Sequence, residues 1–398
     1  MFLSDKVQDQ LKRSNWIRKM FNEGLAMKSI YGDGSVFDLS LGNPVFEPPA
    51  EVFEVLQELV SEPVVGVHRY MDNAGFSAAR EVVAAALQQK FHLPYTKNNI
   101  IMTSGASCSL RIVLQSLLNP GDEVIILAPF FGPYSLFVES VGGEPVIVST
   151  TSEFRPDMRA IERVISAKTS CILINSPNNP TGAVFPAEDY IALAELLQRK
   201  SQQFGRPIIA VSDEVYEGIV FDGRDCPQIS SYYPNAVIVN SYSKSLNIPG
   251  ERIGYVAIHP DFPSLQDFFS ALIHCMQIVG FVNAPALMQR LVVRVHPIHV
   301  DPLSYQKKRD FLYKALTSMG YHVFKPQGAF YMLVQSPFED EMEFVEALKA
   351  CKVLVIPGKG LGASGYVRLA FCVEDWVLEG AIQGFEKVSE MHKRGRNE

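Results

Sequence analysis

The chain has 398 residues, of which 47% are hydrophobic and 20% charged, and its net charge is −7 because 43 acidic residues outnumber 36 lysines and arginines. At about 150 residues per domain, this length predicts two or three domains with sizeable cores, and the composition excludes disordered, collagen-like and coiled-coil proteins. The mildly acidic balance argues against nucleic acid or an anionic membrane as the main partner.

The N-terminus and the cysteines indicate the compartment. The first residues, Met1–Lys6, reach charged side chains at once and lack the apolar stretch of a signal peptide. The six cysteines are scattered and form no CxxC pair, which argues against a zinc site or a disulfide framework. We therefore expect a reducing, cytoplasmic location.

The centre of the chain alternates short strand-like runs with helix-length segments such as Asp157–Lys168 and Pro186–Phe204. The strand-like runs are Asn99–Thr103, Glu123–Ala128, Pro145–Ser149, Ser170–Asn175, Pro207–Asp213, Ala236–Ser241 and Ile253–Ile258. Because these runs are apolar without alternation, they predict strands covered on both faces, in a mainly parallel α/β sheet.

One segment has the composition of a membrane span. Phe268–Gln289 contains 22 residues without Asp, Glu, Lys or Arg. It nevertheless includes His274, Gln277, Asn283 and Pro285, and no second such segment accompanies it. These features favour a buried internal segment over a membrane span.

The C-terminal third predicts a second, α+β domain. Its expected elements are a helix at Tyr305–Met319, strands at Tyr321–Phe324 and Ala329–Val334, a helix at Met342–Cys351, strands at Val353–Ile356 and Tyr366–Phe371, and a helix at Asp375–Met391. The first 45 residues or so show no sheet pattern of their own, and we expect them to pack onto this unit.

Four strand-like runs end directly in polar or glycine-rich clusters. The clusters are Thr103–Ser107, Asn175–Gly182, Ser212–Tyr216 and Ser241–Lys244. Ligands of open α/β sheets bind beyond the carboxyl ends of the strands. A single cluster would indicate a turn, whereas four predict one shared site.

The chemistry of these clusters points to a phosphorylated carbonyl cofactor. Small residues at Gly105, Ala106 and Ser107 precede a helical segment and suit either a phosphate or a plain helix cap. Ser241, Ser243 and Arg252 add two hydroxyls and a permanent cation. Lys244 is a candidate amine for condensation with a carbonyl, although a lysine alone is more often an ordinary surface residue.

Asp213 ends an apolar run, so its carboxylate requires a cationic partner; a helix cap or a salt bridge to an arginine of the chain is the alternative. A phosphate site, an amine and a buried carboxylate together fit pyridoxal 5′-phosphate, which needs an imine-forming lysine and an acid opposite its pyridine nitrogen.

An ordered set of motifs resembles the class I/II pyridoxal-phosphate-dependent aminotransferases, which have the aspartate aminotransferase (type I) fold. The motifs are Ser241-x-Ser243-Lys244-x5-Gly250-x-Arg252-x-Gly254, Asn175–Gly182 with Ser176 in place of the first proline of N-P-N-N-P-T-G, Asp213-Glu214-Val215-Tyr216, Leu41–Pro44, Tyr70 with Gly75 and Arg80, Pro326–Tyr331 and Tyr366–Leu369. The resemblance extends from about Phe37 to Phe371. It implies a large domain at 46–289 with a seven-stranded, mainly parallel sheet between helices, and a small α+β domain built from 1–45 and 290–398.

The resemblance also implies residue roles. Lys244 would bind the cofactor and shuttle a proton, Asp213 would keep the pyridine nitrogen protonated, and Asn179 and Tyr216 would hydrogen-bond the ring oxygen. Phe131 would stack on the ring, while Gly105, Ala106, Ser107, Ser241, Ser243 and Arg252 would bind the phosphate. Arg368 would bind the substrate α-carboxylate with help from Gly42 and Asn179. Tyr70 would reach the phosphate from a second subunit, so a homodimer is implied.

Two further motifs have simpler interpretations. Gly360–Gly365 satisfies GxGxxG, but a strand-like run rather than a helix follows it, so it predicts a glycine-rich loop. His296 and His299 flank Pro297 without a supporting carboxylate cluster, so we predict no metal site there.

The expected reaction moves an amino group from an L-amino acid to a 2-oxo acid by a ping-pong cycle through pyridoxamine phosphate. The sequence leaves the identity of the amino donor open. Ser107 stands where dicarboxylate-selective relatives often have a basic residue, and Arg69 or Lys359 are candidates to supply that charge instead. An aromatic or aliphatic amino donor is equally compatible. A carbon–sulfur β-lyase on the same scaffold is the alternative enzyme. A regulatory module without turnover is disfavoured because Lys244 and Arg368 are retained.

Overall fold

The computed structural model describes residues 2–13, 16–61 and 64–395. Within these residues the helices are α1 (Asp5–Arg13), α2 (Trp16–Tyr31), α3 (Ala50–Ser61), α4 (Ser77–Phe91), α5 (Ala106–Leu117), α6 (Pro133–Ser140), α7 (Met158–Val164), α8 (Ala187–Phe204), α9 (Tyr242–Ser245), α10 (Leu265–Val279), α11 (Ala286–Val295), α12 (Pro302–Ser318), α13 (Glu341–Ala350) and α14 (Asp375–Gly395).

The strands form three sheets. They are β1 (Phe37–Asp38), β2 (Ile100–Thr103), β3 (Glu123–Ala128), β4 (Glu144–Ser149), β5 (Thr169–Asn175), β6 (Ile209–Asp213), β7 (Ala236–Ser241), β8 (Gly254–Ile258), β9 (Tyr331–Gln335), β10 (Val353–Leu354), β11 (Ile356–Pro357) and β12 (Tyr366–Ala370). The largest sheet has seven strands in the order β2-β8-β7-β6-β5-β3-β4. Only β8 runs antiparallel to its neighbours, which confirms the predicted α/β fold with a mainly parallel sheet.

The large sheet is covered on both faces, as its continuous apolar runs predict. On β5, Cys171 and Leu173 pack into one core cluster, whereas Ile172 and Ile174 pack into another. Successive side chains of a strand point to opposite faces, so a strand between two layers of helices needs apolar residues at every position.

A second group of elements contains the three-stranded antiparallel sheet β11-β12-β9 with α12, α13 and α14. The strand predicted at Tyr321–Phe324 is wrong: only Val323 bridges to β9, at Val334. The segment runs from Gly320, which has a φ of +93°, to Pro326, which has no N–H to donate, so little chain remains for a ladder.

The predicted strand at Val353–Ile356 is divided between two sheets. Residues 353–354 pair with β1, while Ile356 and Pro357 pair with β12. The first 45 residues show no sheet pattern in the sequence, yet Phe37 and Asp38 pair in parallel with Val353 and Leu354. A two-residue strand is too short to produce a periodic signal.

The uncharged segment Phe268–Gln289 spans most of α10 and the start of α11, which Gly280 and Pro285 separate. In the ranges given above, no helix combines the length and apolar character that crossing a bilayer requires. After the glycines of the GxGxxG motif the chain enters β12 directly, as predicted.

Candidate active site

A cavity of about 180 Å³ lies at one edge of the large sheet. It is lined by Ala106, Ser107, Leu110, Phe131, Tyr134, Asn179, Asp213, Val215, Tyr216, Ser241, Ser243, Lys244, Pro249 and Arg252. The strands β5, β6 and β7 are parallel, and β2 runs in the same direction because β8 is antiparallel to both β2 and β7. The four polar clusters therefore follow strand ends at the same edge, and each of them contributes to the cavity.

Lys244 lies on α9, the short helix after β7. Its Nζ donates to the Gly42 carbonyl oxygen at 2.8 Å and lies 5.4 Å from the centre of the Phe330 ring. Burial lowers the pKa of this ammonium group to about 8. A larger fraction of the amine is therefore neutral near physiological pH than for a solvated lysine, as a nucleophile requires.

Asp213, the last residue of β6, is 6% exposed. Its Oδ2 accepts a 2.7 Å hydrogen bond from the Tyr134 hydroxyl, and its Oδ1 has no hydrogen-bond partner among the described residues. Among the described residues, the side chain bonded to this carboxylate is therefore a neutral hydroxyl and not an arginine, and the predicted cationic partner at the ring nitrogen stays a prediction. Burial raises the pKa of Asp213 to about 6 because the charged form loses its hydration.

The phosphate site predicted around Gly105 is closely packed. Gly105 has a φ of +87° at the start of α5, and a Cβ there would lie 2.7 Å from Arg252 Nη2. Arg252 is exposed, and its Nη1 donates to the Pro249 carbonyl oxygen at 2.9 Å, which places the guanidinium beside the helix end. Free N–H groups of a helix terminus and a neighbouring cation together suit a phosphate.

Arg368 lies on β12 and is 2% exposed. Its Nη1 donates to Asn179 Oδ1 at 3.3 Å, and its Nη2 donates to the Ser40 carbonyl oxygen at 2.6 Å. The Nε has no acceptor among the described residues. A buried guanidinium with an unsatisfied donor provides the planar fork that binds a carboxylate.

Tyr216 and Phe131 are both in the cavity wall. The Tyr216 hydroxyl lies 3.1 Å from the Tyr331 hydroxyl, and burial raises the pKa of Tyr216 well above its usual value. The Phe131 ring meets the Tyr134 ring edge-on, with the centroids 5.5 Å apart.

One predicted site residue lies apart from the others. Tyr70 is 90% exposed and does not line the cavity. Gly42, Gly105 and Arg368 do not line it either. Gly42 and Arg368 reach it through their hydrogen bonds to Lys244 and Asn179, and Gly105 directly precedes the lining residue Ala106.

The sequence analysis assigned no site role to Tyr134, to Tyr331 at the end of the motif Pro326–Tyr331, or to Asn175. Tyr134 and Tyr331 contact predicted site residues, but they come from α6 and β9, outside the strand-end clusters. Asn175 joins two clusters, because its Nδ2 donates to the Asp213 carbonyl oxygen and its Oδ1 accepts from the Asn179 N–H. The sequence signal that could have identified Asn175 as a site residue is its position at the end of the apolar run that forms β5.

The match to known proteins extends over most of the chain. A family model described as aminotransferase class I and II matches residues 35–385. The chain belongs to the class I and II aminotransferases.

Individual relatives of this aminotransferase agree with the family assignment. The aspartate/prephenate aminotransferase of Thermus thermophilus is 32% identical over 356 residues, which are 88% of this chain and 90% of the relative. A solved amino transferase structure from Eubacterium rectale has a TM-score of 0.94 at 36% identity and covers 98% of this chain and 99% of that chain. The structure of Thermus thermophilus aspartate aminotransferase with maleate has a TM-score of 0.87 at 28% identity, and the match covers 98% of this chain and 100% of that chain.

The family confirms the predicted amino-group transfer and the predicted fold. The alternative of a carbon–sulfur β-lyase finds no support, because each of these three relatives is named an aminotransferase.

Proposed function

We propose that this aminotransferase binds pyridoxal 5′-phosphate in the cavity and uses it to move an amino group from an L-amino acid to a 2-oxo acid. The observation that carries the proposal is that the cavity presents both a low-pKa lysine amine and a buried carboxylate oxygen without a partner. When bound, the cofactor supplies an electrophilic carbonyl carbon and an electron-withdrawing ring.

The residues of the cavity fit the cofactor group by group. The unpaired Oδ1 of Asp213 would accept from the protonated ring nitrogen, which removes the cost of burying this carboxylate alone. Gly105, Ala106, Ser107, Ser241, Ser243 and Arg252 would bind the phosphate. Phe131 would cover the ring face, and Asn179 and Tyr216 would hydrogen-bond the ring oxygen.

Lys244 would hold the cofactor through its Nζ and later carry a proton to and from the substrate carbon. Releasing the Gly42 carbonyl oxygen frees this nitrogen for both tasks. Arg368 would orient the substrate by its carboxylate, with Gly42 and Asn179 completing the contact.

We propose an L-amino acid and a 2-oxo acid as the substrates, with aspartate as the first donor to test because the Thermus thermophilus relatives are named aspartate aminotransferases. Ser107, Leu110 and Phe131 in the cavity wall give no fixed cation for a second carboxylate, so aromatic and aliphatic donors belong in the same test.

The division into a large unit at 46–289 and a small unit of 1–45 with 290–398 is also a proposal. It is supported by the sheets, since every strand of the large sheet lies between Ile100 and Ile258, whereas β1 pairs with β10.

We also propose a homodimer in which Tyr70 completes the partner's phosphate site. The 90% exposure of Tyr70 and the 91% exposure of the nearby Val65 support a covering second copy. All six cysteines are unpaired, which supports a reducing compartment such as the cytoplasm.

The test mixes reconstituted enzyme with one amino acid at a time and no oxo acid, while the cofactor absorbance is followed. Transamination converts the cofactor stoichiometrically to pyridoxamine phosphate and yields the matching 2-oxo acid, and 2-oxoglutarate then restores the starting spectrum. Lys244→Ala is expected to abolish the exchange, whereas the exposed control Lys168→Ala leaves it intact. Steady ammonia release without cofactor conversion would contradict the proposal and favour the lyase.

A further inference from the structure

Tyr331 contacts three of the proposed site residues, although its motif position alone gives it no role. It is the first residue of β9 and is 4% exposed. Its ring faces Arg368, its hydroxyl faces Tyr216, and Gly42 lies directly against that hydroxyl.

The contact with Arg368 follows from the register of the small sheet. Arg368 on β12 pairs with Leu333, and Ala370 pairs with Tyr331, so Tyr331 and Arg368 are diagonal neighbours on one face. The guanidinium carbon lies 4.7 Å from the centre of the Tyr331 ring. This cation–π contact supports one face of a guanidinium whose hydrogen-bond acceptors, within the described part of the chain, are Asn179 and Ser40.

The contact with Tyr216 joins two buried hydroxyls. Their oxygens are 3.1 Å apart, and the rings meet at 85° with the centroids 5.8 Å apart. Burial raises the pKa of Tyr331 to about 12, so its hydroxyl keeps its proton at physiological pH. Each hydroxyl has one proton, so if Tyr331 donates to Tyr216, the proton of Tyr216 is available to the cavity.

The contact with Gly42 fixes the segment that carries the acceptor of Lys244. A Cβ on residue 42 would lie 1.8 Å from the Tyr331 hydroxyl oxygen, so the backbone can approach only without a side chain. The carbonyl oxygen of the same glycine accepts from Lys244 Nζ.

We propose that Tyr331 is a positioning residue for the transamination reaction: its ring holds Arg368 for the substrate carboxylate, and its hydroxyl donates to Tyr216. The proposal rests on the proposed function, because it assumes that Arg368 binds substrate and that Tyr216 donates to the ring oxygen of the cofactor. Tyr331 does not line the cavity, so we assign it to positioning rather than to direct contact with substrate or cofactor.

The hydroxyl is tested by Tyr331→Phe in the holoenzyme without substrate. A donated hydrogen bond polarises Tyr216 and strengthens its own donation to the ring oxygen of the cofactor. In Tyr331→Phe this donated hydrogen bond is absent, so the ring oxygen of the cofactor would be more basic. The proton on the neighbouring Lys244 nitrogen would then be retained to higher pH. We expect the pH midpoint of the cofactor absorbance change to rise by about 0.5 pH unit, with KM within about twofold of wild type.

The ring is tested by Tyr331→Leu, which removes the face on which Arg368 lies. We expect the same rise in midpoint together with an increase in KM for the amino donor of about tenfold and a smaller fall in kcat. If this variant does not fold, Tyr331→Phe still decides the role of the hydroxyl, and Tyr331→Met, which keeps more of the side-chain volume but no ring, tests the ring in its place.

Tyr321 provides the matched control. It is a tyrosine of the small unit and is 7% exposed. Its hydroxyl donates to the Phe385 carbonyl oxygen over 2.8 Å, and it does not line the active-site cavity. Tyr321→Phe and Tyr321→Leu should lose folding stability without moving the midpoint or KM. Equal shifts in these controls, an unchanged midpoint in Tyr331→Phe or an unchanged KM in Tyr331→Leu would each overturn the proposal. Wild-type enzyme that fails to transaminate would instead refute the proposed function, while the absorbance titration still judges the Tyr331 hydroxyl.

Discussion

The carboxyl group of Asp213 shows how a functional residue can oppose folding. Its buried position raises its pKa from 3.8 to about 6, and the Tyr134 hydroxyl is its only hydrogen-bonding side-chain partner among the described residues. The unfolded chain ionises this carboxyl at lower pH than the folded chain does. The free energy of unfolding of the cofactor-free protein therefore falls as pH rises from about 4 to about 6, and the penalty is complete above that window.

Asp213→Asn should consequently stabilise the cofactor-free protein, because the amide oxygen still accepts from Tyr134 and carries no charge. A shift of about 2 pH units corresponds to about 3 kcal/mol, so we expect a gain of about 2 to 3 kcal/mol at pH 8 and a smaller gain at pH 5. Urea unfolding at the two pH values measures this difference. The same variant should lose transaminase activity, because it no longer offers a carboxylate to the ring nitrogen.

Asp122 supplies a control of opposite sign. Hydrogen bonds from Arg206 lower the pKa of this carboxyl, so its charged form stabilises the fold. Asp122→Asn should therefore destabilise the protein at pH 8. A loss of stability in both variants would show that the burial of Asp213 is not the controlling effect.

At the scale of single elements, the turn from β2 into α5 depends on Gly105. An alanine there meets two obstacles: a positive φ, which costs about 1 kcal/mol, and a Cβ that would displace the Arg252 guanidinium. The guanidinium is the end of a flexible side chain and can move away, so the fold should survive while the phosphate site loses its cation.

Gly105→Ala should weaken pyridoxal 5′-phosphate binding by about tenfold or more, since a charge-assisted contact to phosphate is lost. Gly121→Ala is the matched control, because Gly121 has a φ of +84° and no atom within 4 Å of a Cβ. Both variants should lose a similar amount of stability, but only Gly105→Ala should lose affinity in an absorbance titration of the cofactor-free protein. Equal affinities would mean that Arg252 does not contribute to the site.

The elements also show which features could be predicted from sequence. The seven strands of the large sheet were predicted to within about two residues, because burial on both faces requires unbroken apolar runs. The two-residue strand β1 has no period and was missed, and the short strands β10 and β11 were predicted as one strand. The four polar clusters of the site could be predicted as well, because each directly follows the end of one of these apolar runs. The roles of Tyr134 and Tyr331 were not predicted, because only the packing of α6 and β9 brings them against the site residues Asp213 and Tyr216.

At the scale of the whole molecule, the two proposed units share a core. Tyr216, Ile219 and Phe221, which follow β6, belong to the same buried cluster as Phe330 and Phe371 of the small unit. The site residues Tyr216 and Arg368 therefore depend on a common packing arrangement, and we expect the units to unfold together.

Arg309 is a buried charged residue at this junction. It lies on α12, is fully buried, and donates through Nη2 to Asp222 Oδ1 at 2.7 Å and through Nη1 to the Pro326 carbonyl oxygen. Its guanidinium carbon also lies 4.9 Å from the centre of the Phe221 ring. Removing one partner of such a pair leaves the remaining groups without their hydrogen bonds.

Arg309→Met keeps most of the side-chain volume and should lower the free energy of unfolding by about 2 to 4 kcal/mol. Arg199→Met, which breaks the exposed pair with Glu162, should cost less than about 1 kcal/mol. Urea unfolding followed in parallel by circular dichroism and by bound cofactor absorbance measures both. Coincident transitions that shift together in Arg309→Met would confirm coupled units, because a loss at the junction then reaches the site. Separate unfolding transitions, or a urea midpoint unchanged from wild type, would show that Arg309 does not join the units.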